Sequence, residues 1–191
     1  MSASSFLRSA RGGAGVSQRQ LALDSRVTQP AIAVIESGSH DTSVSRLEQL
    51  LASLGQRVVL LPTLARPVSE AADALRAALL SHNYEWAWRE VIQTSDDLAG
   101  VDPAVRVALA VTRPLPVGDR RYDALLAALV DYWMSLDRLP RPMWLDDPHY
   151  SLNEPWDIEE LESLRARARL ATPRSIRRHG VFLDPTQLLS A

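Results

Sequence analysis

Apolar residues between positions 17 and 38 recur at a spacing that fits two short helices joined by a tight turn. They stand at these positions: Leu21, Ala22, Val27, Ile32 and Ile35. This spacing gives each helix one inward face, with Val27 filling the turn between them. The pattern therefore predicts a two-helix unit whose second helix keeps its outward side free.

Helix-capping residues mark the ends of both predicted helices. Ser17 stands where it can cap the first helix, and Gln20 three residues later completes the pattern of a capping box. Thr28 can cap the second helix, and Gly38 can end it in a left-handed turn.

The remaining pattern predicts a mainly α fold in two parts. Residues 1–62 hold the two-helix unit between further helices, and residues 68–191 form a mainly helical second domain. Helical periodicity elsewhere covers residues 4–11, 43–54, 69–82, 84–98, 102–112, 119–139 and 157–170. Residues 57–61 and 181–183 are short and β-branched, which favours strands. The first of these strands needs a partner, either a second copy of the chain or the second domain.

The stretch from position 7 to 54 resembles the lambda-repressor-like, Xre-type helix-turn-helix family. The resemblance rests on these residues: Arg11, Gln18, Leu21, Ala22, Val27, Gln29, Ile32, Ile35, Glu36 and Gly38. It implies a five-helix N-terminal domain that binds double-stranded DNA, usually as a homodimer.

The resemblance also implies roles for individual residues. Gln18 contacts a phosphate, and Gln29 enters the major groove, where an amide pairs with adenine. Arg11 and Glu36 form a structural ion pair. The full set of implied DNA-binding residues is Ser17, Gln18, Thr28, Gln29, Pro30, Ala31, Val34, Ser39 and His40.

Three positions depart from the family pattern. Arg26 replaces the usual turn glycine, which strains a left-handed backbone. Pro30 disfavours helical geometry at the residue before it, so Gln29 is expected either as a cap or as the first helical residue. No Lys or Arg directly follows Gly38. An alternative is a helix-turn-helix retained only for dimerisation or partner docking.

The charge is unevenly divided along the chain. Residues 1–62 carry six arginines and four acidic residues, a balance of +2, whereas residues 63–191 carry fifteen and nineteen, a balance of −4. Because phosphate affinity grows with the number of neutralised phosphates, one copy should bind DNA weakly, and a dimer or a higher assembly is expected. The chain has no cysteine, no long apolar run and no signal-peptide pattern. These features predict a cytoplasmic protein without disulfides or a membrane span. The repressor mechanism that the resemblance implies needs no cofactor.

The second region holds all five tryptophans and all four tyrosines. Most should form a core, but Trp144, Tyr150 and Trp156 lie in a proline-rich stretch and could instead form a partner-binding surface. Arginines between positions 165 and 178, including Arg174, Arg177 and Arg178, could contact phosphate, dock an acidic partner or lie solvated against the acidic run at Asp157, Glu159, Glu160 and Glu162. Residues 147–156 and 172–183 resemble antitoxin-type regulators of bacterial toxin–antitoxin pairs, which implies a toxin partner.

The sequence offers little support for an enzyme. Its four histidines lack metal-ligand spacing, and no metal site is expected. Asp146, Asp147 and His149 lie close together, but neighbouring residues of this kind more often cap turns. An enzyme with a DNA-binding appendage would depend on these three.

The sequence thus predicts a transcriptional repressor that binds an inverted-repeat operator and acts as the antitoxin of a cognate toxin. The alternative is a regulator without a toxin, whose second domain senses a ligand or dimerises.

Overall fold

The computed structural model describes residues 3–188 and is mainly helical, as predicted. Ten α-helices lie in this part of the chain: α1 Ala3–Gly13, α2 Gln18–Ser25, α3 Gln29–Ser37, α4 Val44–Ala52, α5 Val68–Leu80, α6 Tyr84–Ala99, α7 Pro103–Ala110, α8 Arg120–Leu136, α9 Glu162–Ala171 and α10 Arg174–Arg177. Three 3-10 helices cover Met143–Asp146, Pro148–Tyr150 and Pro185–Leu188. Two short strands, β1 Trp156–Asp157 and β2 Val181–Phe182, pair in parallel.

The helices bury two separate apolar clusters. The first cluster lies among α1 to α4, with Leu7, Leu21, Ile32 and Leu50 fully buried. The second surrounds α8, whose residues 122–131 are all buried. A helix that is buried on all sides needs neighbours around it, and α6, α7, α10 and the 3-10 helix at Pro148–Tyr150 supply them.

Four helices precede residue 53, so the five-helix count implied by the resemblance is reached only with α5. That helix packs on α1, yet its buried residues Val68, Ala72 and Leu75 belong to the second cluster. The helix α5 therefore joins the two halves of the molecule.

The contact between the two halves is close. A Cβ atom on Gly12 of α1 would lie 2.7 Å from Leu115, and Arg8 lies 3.8 Å from Asp73 of α5. The N-terminal unit therefore rests on the second cluster through α1, away from α3.

The predicted strand at residues 57–61 is wrong, because this segment is irregular and pairs with no other part of residues 3–188. Val59 and Leu60 are 72% and 94% exposed. The prediction at residues 181–183 is confirmed by β2. The two segments differ in whether a neighbouring strand is present. A strand needs such a neighbour to satisfy its backbone hydrogen bonds, and β2 has one in β1, whereas residues 57–61 have none within residues 3–188.

Asp131 of α8 is a buried polar anchor for the C-terminal segment. Its carboxylate accepts two hydrogen bonds from Arg141 at 2.8 and 3.1 Å, and it lies 3.1 Å from His179 Nε2 and 3.3 Å from Arg178 Nε. Burial raises the pKa of Asp131, but these hydrogen bonds and charges outweigh it and hold the pKa below its usual range.

No helix within residues 3–188 is long and apolar enough to cross a membrane.

Candidate nucleic-acid interface

The first helix of the motif begins with a genuine side-chain cap. Ser17 Oγ accepts a hydrogen bond from the backbone N–H of Gln20 at 3.1 Å. The Gln20 side chain donates to Asp24 instead of returning to Ser17, so half of the expected capping box forms. The helix ends at Arg26, which has a left-handed backbone with φ of 57°. A non-glycine residue in that region is strained, as the missing glycine implied.

The second helix of the motif starts at Gln29. Thr28 occupies the cap position but makes no capping hydrogen bond through its side chain. Pro30 is the second helical residue, where its missing N–H has no partner to lose. The interpretation of Gln29 as a cap is therefore wrong: it is the first residue of α3. Gly38 ends the helix in a left-handed conformation with φ of 71°, as expected.

One chain of hydrogen bonds links the helices α1, α2 and α3. Arg11 of α1 donates to both carboxylate oxygens of Glu36 on α3, at 2.6 and 2.9 Å. Gln18 of α2 donates to the same carboxylate at 2.8 Å. Gln29 in turn donates from Nε2 to Gln18 Oε1, also at 2.8 Å. The predicted ion pair between Arg11 and Glu36 thus forms, and two further side chains extend it.

The chemistry of Glu36 fixes the direction of this chain. An ionised carboxylate can only accept hydrogen bonds, so the Gln18 amide must turn its nitrogen toward Glu36 and its oxygen outward. That outward oxygen then selects the nitrogen of Gln29. The hydrogen bond with Glu36 raises the pKa of Arg11 more than its burial lowers it, which keeps the Arg11 guanidinium charged.

Gln29 and its neighbours form the outward face of α3. Gln29, Pro30 and Val34 are exposed, Val34 by 41%, and Ala31 is half-buried. Ser39 is exposed, and its hydroxyl contacts Ser37 Oγ at 2.7 Å and the Val34 carbonyl at 3.3 Å. His40 is exposed beside it. The structure therefore places these implied DNA-binding residues on the surface, around the start and the end of α3.

Two exposed cations of the α1–α4 unit were not identified from the sequence. Arg19 on α2 is exposed next to Gln18, and Arg46 on α4 is exposed with its guanidinium 3.5 Å from Gln49. Their positions in the sequence could have identified them, because each lies in the first turn of a helix, Arg19 in α2 and Arg46 in α4. They offer the positive charge that the segment after Gly38 lacks.

The aromatic surface proposed for partner binding is wrong for two of its three residues. Trp144 is 6% exposed and donates to the Ala110 carbonyl, and Tyr150 is fully buried and donates to the Pro114 carbonyl. Both belong to the second cluster, because the proline-rich stretch folds back over α8. Trp156 is half-buried in β1 and packs against Tyr122.

The arginines between 165 and 178 do not form one patch. Arg178 lies against Asp131, Arg177 donates to the Thr172 carbonyl, and Arg174 is exposed. Arg169 makes a two-point contact with Asp157 at 2.6 and 2.7 Å. Several of these cations therefore stabilise the C-terminal segment.

Asp146, Asp147 and His149 point to different partners. Asp146 pairs with Arg141, Asp147 pairs with Arg113, and His149 lies 2.9 Å from buried Asp123. Asp147 also accepts from the backbone N–H of His149, which is the expected turn cap. The searched part of the chain, residues 3–188, holds no cluster of three or more side chains suited to a metal ion.

Residues 7–61 match the helix-turn-helix family model, whose members are DNA-binding transcriptional regulators rather than enzymes. The match begins within α1 and runs through α4 into the segment that follows it. No curated protein matches the chain, and no solved structure does.

Proposed function

We propose that the protein is a sequence-specific transcriptional repressor that reads DNA with α3. The observation that carries this proposal is the chain from Glu36 through Gln18 to Gln29, which holds an exposed amide in one orientation at the start of the helix. An oriented donor–acceptor pair loses less conformational entropy on binding than a free side chain does.

The Gln29 side chain keeps the free hydrogen-bond donor and acceptor that adenine requires. One N–H of its amide is engaged by Gln18, which leaves the second N–H and the carbonyl oxygen. In the major groove these groups match N7 and the N6 amino group of adenine. Pro30 and Val34 beside it can contact thymine methyl groups.

The proposal includes phosphate contacts and a homodimer. Gln18, Ser17 and Arg19 border the start of α2, and Ser39 and His40 follow α3. Residues 1–62, for which we propose an autonomous DNA-binding domain, carry a net charge of only +2. Two copies on an inverted repeat, with half-sites about 10 base pairs apart, would double the number of phosphates contacted.

The test is binding of the purified chain to the DNA upstream of its own gene and to a scrambled duplex, across a salt series. Gln29→Ala should cost about 1–3 kcal/mol on the specific site and relax the base preference at one position. Arg19→Ala should weaken binding to both duplexes and reduce the salt slope by about one phosphate. Gln20→Ala is the matched control, because that amide is exposed on α2 but bonds only to Asp24.

Equal affinity of the chain for both duplexes would contradict sequence-specific reading. An unchanged base preference in Gln29→Ala, with specific binding intact, would contradict the role of Gln29 alone.

A second, finer proposal is that the repressor is the antitoxin of a toxin–antitoxin pair. Because Trp144 and Tyr150 are buried, they cannot form the toxin-binding surface. The exposed apolar surface that supports this proposal lies instead at the turn between α5 and α6. There Leu80, Tyr84 and Trp86 are 74%, 54% and 49% exposed, and exposed aromatic residues are common interface anchors.

The test is co-expression with the product of the adjacent gene and isolation of a stoichiometric complex. Trp86→Ala should release the partner and leave operator binding intact. Failure to form a complex would leave the repressor without a toxin, in line with the alternative in which the second domain senses a ligand or dimerises.

A further inference from the structure

A cleft of about 600 Å³ lies between the helix-turn-helix unit and the second cluster. One wall comes from α1 and from the segment after α4, and the opposite wall comes from the segment after α7 and the 3-10 helix at Met143–Asp146. Its volume falls within the range of small-molecule sites, and such sites occur preferentially between domains.

Two arginines from opposite walls line the cleft. Arg57 follows α4, is exposed and makes no hydrogen bond or ion pair with any other residue in the range 3–188. Arg113 follows α7, and its Nη2 lies 2.8 Å from Asp147. With Asp147 as the only acidic residue of the lining, the described walls carry a net charge of +1. The cleft therefore favours an anion.

Arg113 is held in place for such a contact. Its guanidinium lies 5.5 Å from the centre of the Tyr150 ring, which is fully buried. Burial lowers the pKa of Arg113, but the Tyr150 hydroxyl and the Asp147 carboxylate together raise it further, so that the net shift is upward. A guanidinium has five N–H donors, so the contact with Asp147 leaves donors for a ligand.

The lining also has an apolar part and an unpaired hydroxyl. Trp144 and Met143 line the cleft beside the arginines, and Met143 is 91% exposed. Ser9 of α1 lines the opposite wall, is 1% exposed, and its Oγ has no hydrogen-bond partner among the described residues. A buried hydroxyl without a partner is unfavourable, and a ligand that hydrogen-bonds to Ser9 would remove that cost.

We propose that this cleft binds a small organic anion, an oxyanion on an apolar body, that bridges the two halves of the protein. The oxyanion would lie between Arg57 and Arg113, and the apolar body would lie on Met143 and Trp144. The proposal stands apart from DNA reading, since none of these residues belongs to the α3 face.

The experiment is isothermal titration of the full chain with benzoate, phenyl phosphate and the neutral analogue benzamide. Saturable 1:1 binding is expected for at least one anion, at about millimolar affinity for ligands of this size. Benzamide should bind about tenfold more weakly or not at all. The carboxylate and the phosphate ester are separate arms, so the titrations also identify which oxyanion the cleft prefers.

Two variants localise the site. Arg57→Gln should weaken anion binding by about fivefold, a loss typical of one partly exposed charge contact. Arg167→Gln is the matched control, since Arg167 is an exposed arginine on α9, outside the cleft lining, and it should leave binding unchanged. The anion should also raise the melting temperature of the wild type more than that of Arg57→Gln.

Three results would overturn the proposal: no saturable binding of either anion, equal binding of benzamide, or equal affinity in Arg57→Gln and Arg167→Gln. None of these outcomes bears on operator binding.

Discussion

Replacement of Arg11 by methionine tests the ion pair that joins α1 to α3. Methionine keeps most of the apolar stem but removes three hydrogen bonds, two to Glu36 and one to the Val16 carbonyl at 2.8 Å. The Glu36 carboxylate, whose residue is 4% exposed, would then keep only the hydrogen bond from Gln18.

The expected loss follows from that burial. Removal of one partner from a buried ion pair costs about 3–5 kcal/mol, because the remaining charge is uncompensated. The side chain of Arg11 is 22% exposed, so water can partly replace it, and we expect about 3 kcal/mol for Arg11→Met. The double variant Arg11→Met/Glu36→Leu leaves no buried charge at this position, so it should lose less free energy of unfolding than Arg11→Met alone.

The assay is urea unfolding at neutral pH, followed by far-ultraviolet circular dichroism and by tryptophan fluorescence. All five tryptophans lie in the second region, so fluorescence reports on the second cluster and circular dichroism reports on all the helices. We expect Arg11→Met to shift the dichroism transition first. A loss below about 1 kcal/mol, or a double variant that loses the sum of the two single losses, would refute the reasoning.

Two further predictions concern the second cluster. A methyl group on Gly180, at φ of 76°, would lie 2.7 Å from the Leu152 carbonyl oxygen. Gly180→Ala should therefore cost about 3 kcal/mol of unfolding free energy in urea titrations. The control Gly55→Ala, at φ of 72° with no atom nearby, should cost about 1 kcal/mol, and equal losses would contradict the steric reason. Because the pKa of Asp131 is lower in the fold than in the unfolded chain, where it is about 4, its stabilisation is present above that value and declines as the pH falls through the folded pKa. Asp131→Asn should therefore flatten the loss of stability as the pH falls below about 4, measured by acid titration of the thermal midpoint, and an unchanged slope would exclude Asp131 as a contributor.

The motif was predictable because its determinants are local. Apolar spacing, a serine cap and a terminal glycine each act within one or two helical turns, and they located α2 and α3 to within about one residue at each boundary. The bond from Arg11 to Glu36 spans 25 positions, and only the family resemblance suggested it.

The region after residue 62 was less predictable because long-range contacts decide burial there. The Tyr150 hydroxyl bonds to a carbonyl 36 positions away, and His179 reaches Asp131 across 48 positions. A proline-rich stretch with aromatic residues looks the same in sequence whether it is exposed or folded over a helix. The strand predicted at residues 57–61 failed for a related reason, since strand propensity does not supply a pairing partner.

In the structure, Glu36 and Gln29 are connected, although the sequence analysis gave them separate roles. Glu36 was assigned a structural role and Gln29 a reading role, yet Gln18 connects them through two hydrogen bonds of 2.8 Å. Since the carboxylate of Glu36 only accepts hydrogen bonds, it determines which atom Gln18 presents, and Gln18 determines which atom Gln29 presents. The ion pair with Arg11 holds that carboxylate in position, so loss of Arg11 should reduce base preference as well as stability. The stability of the α1–α3 contact and the orientation of the Gln29 amide thus depend on the same buried charge.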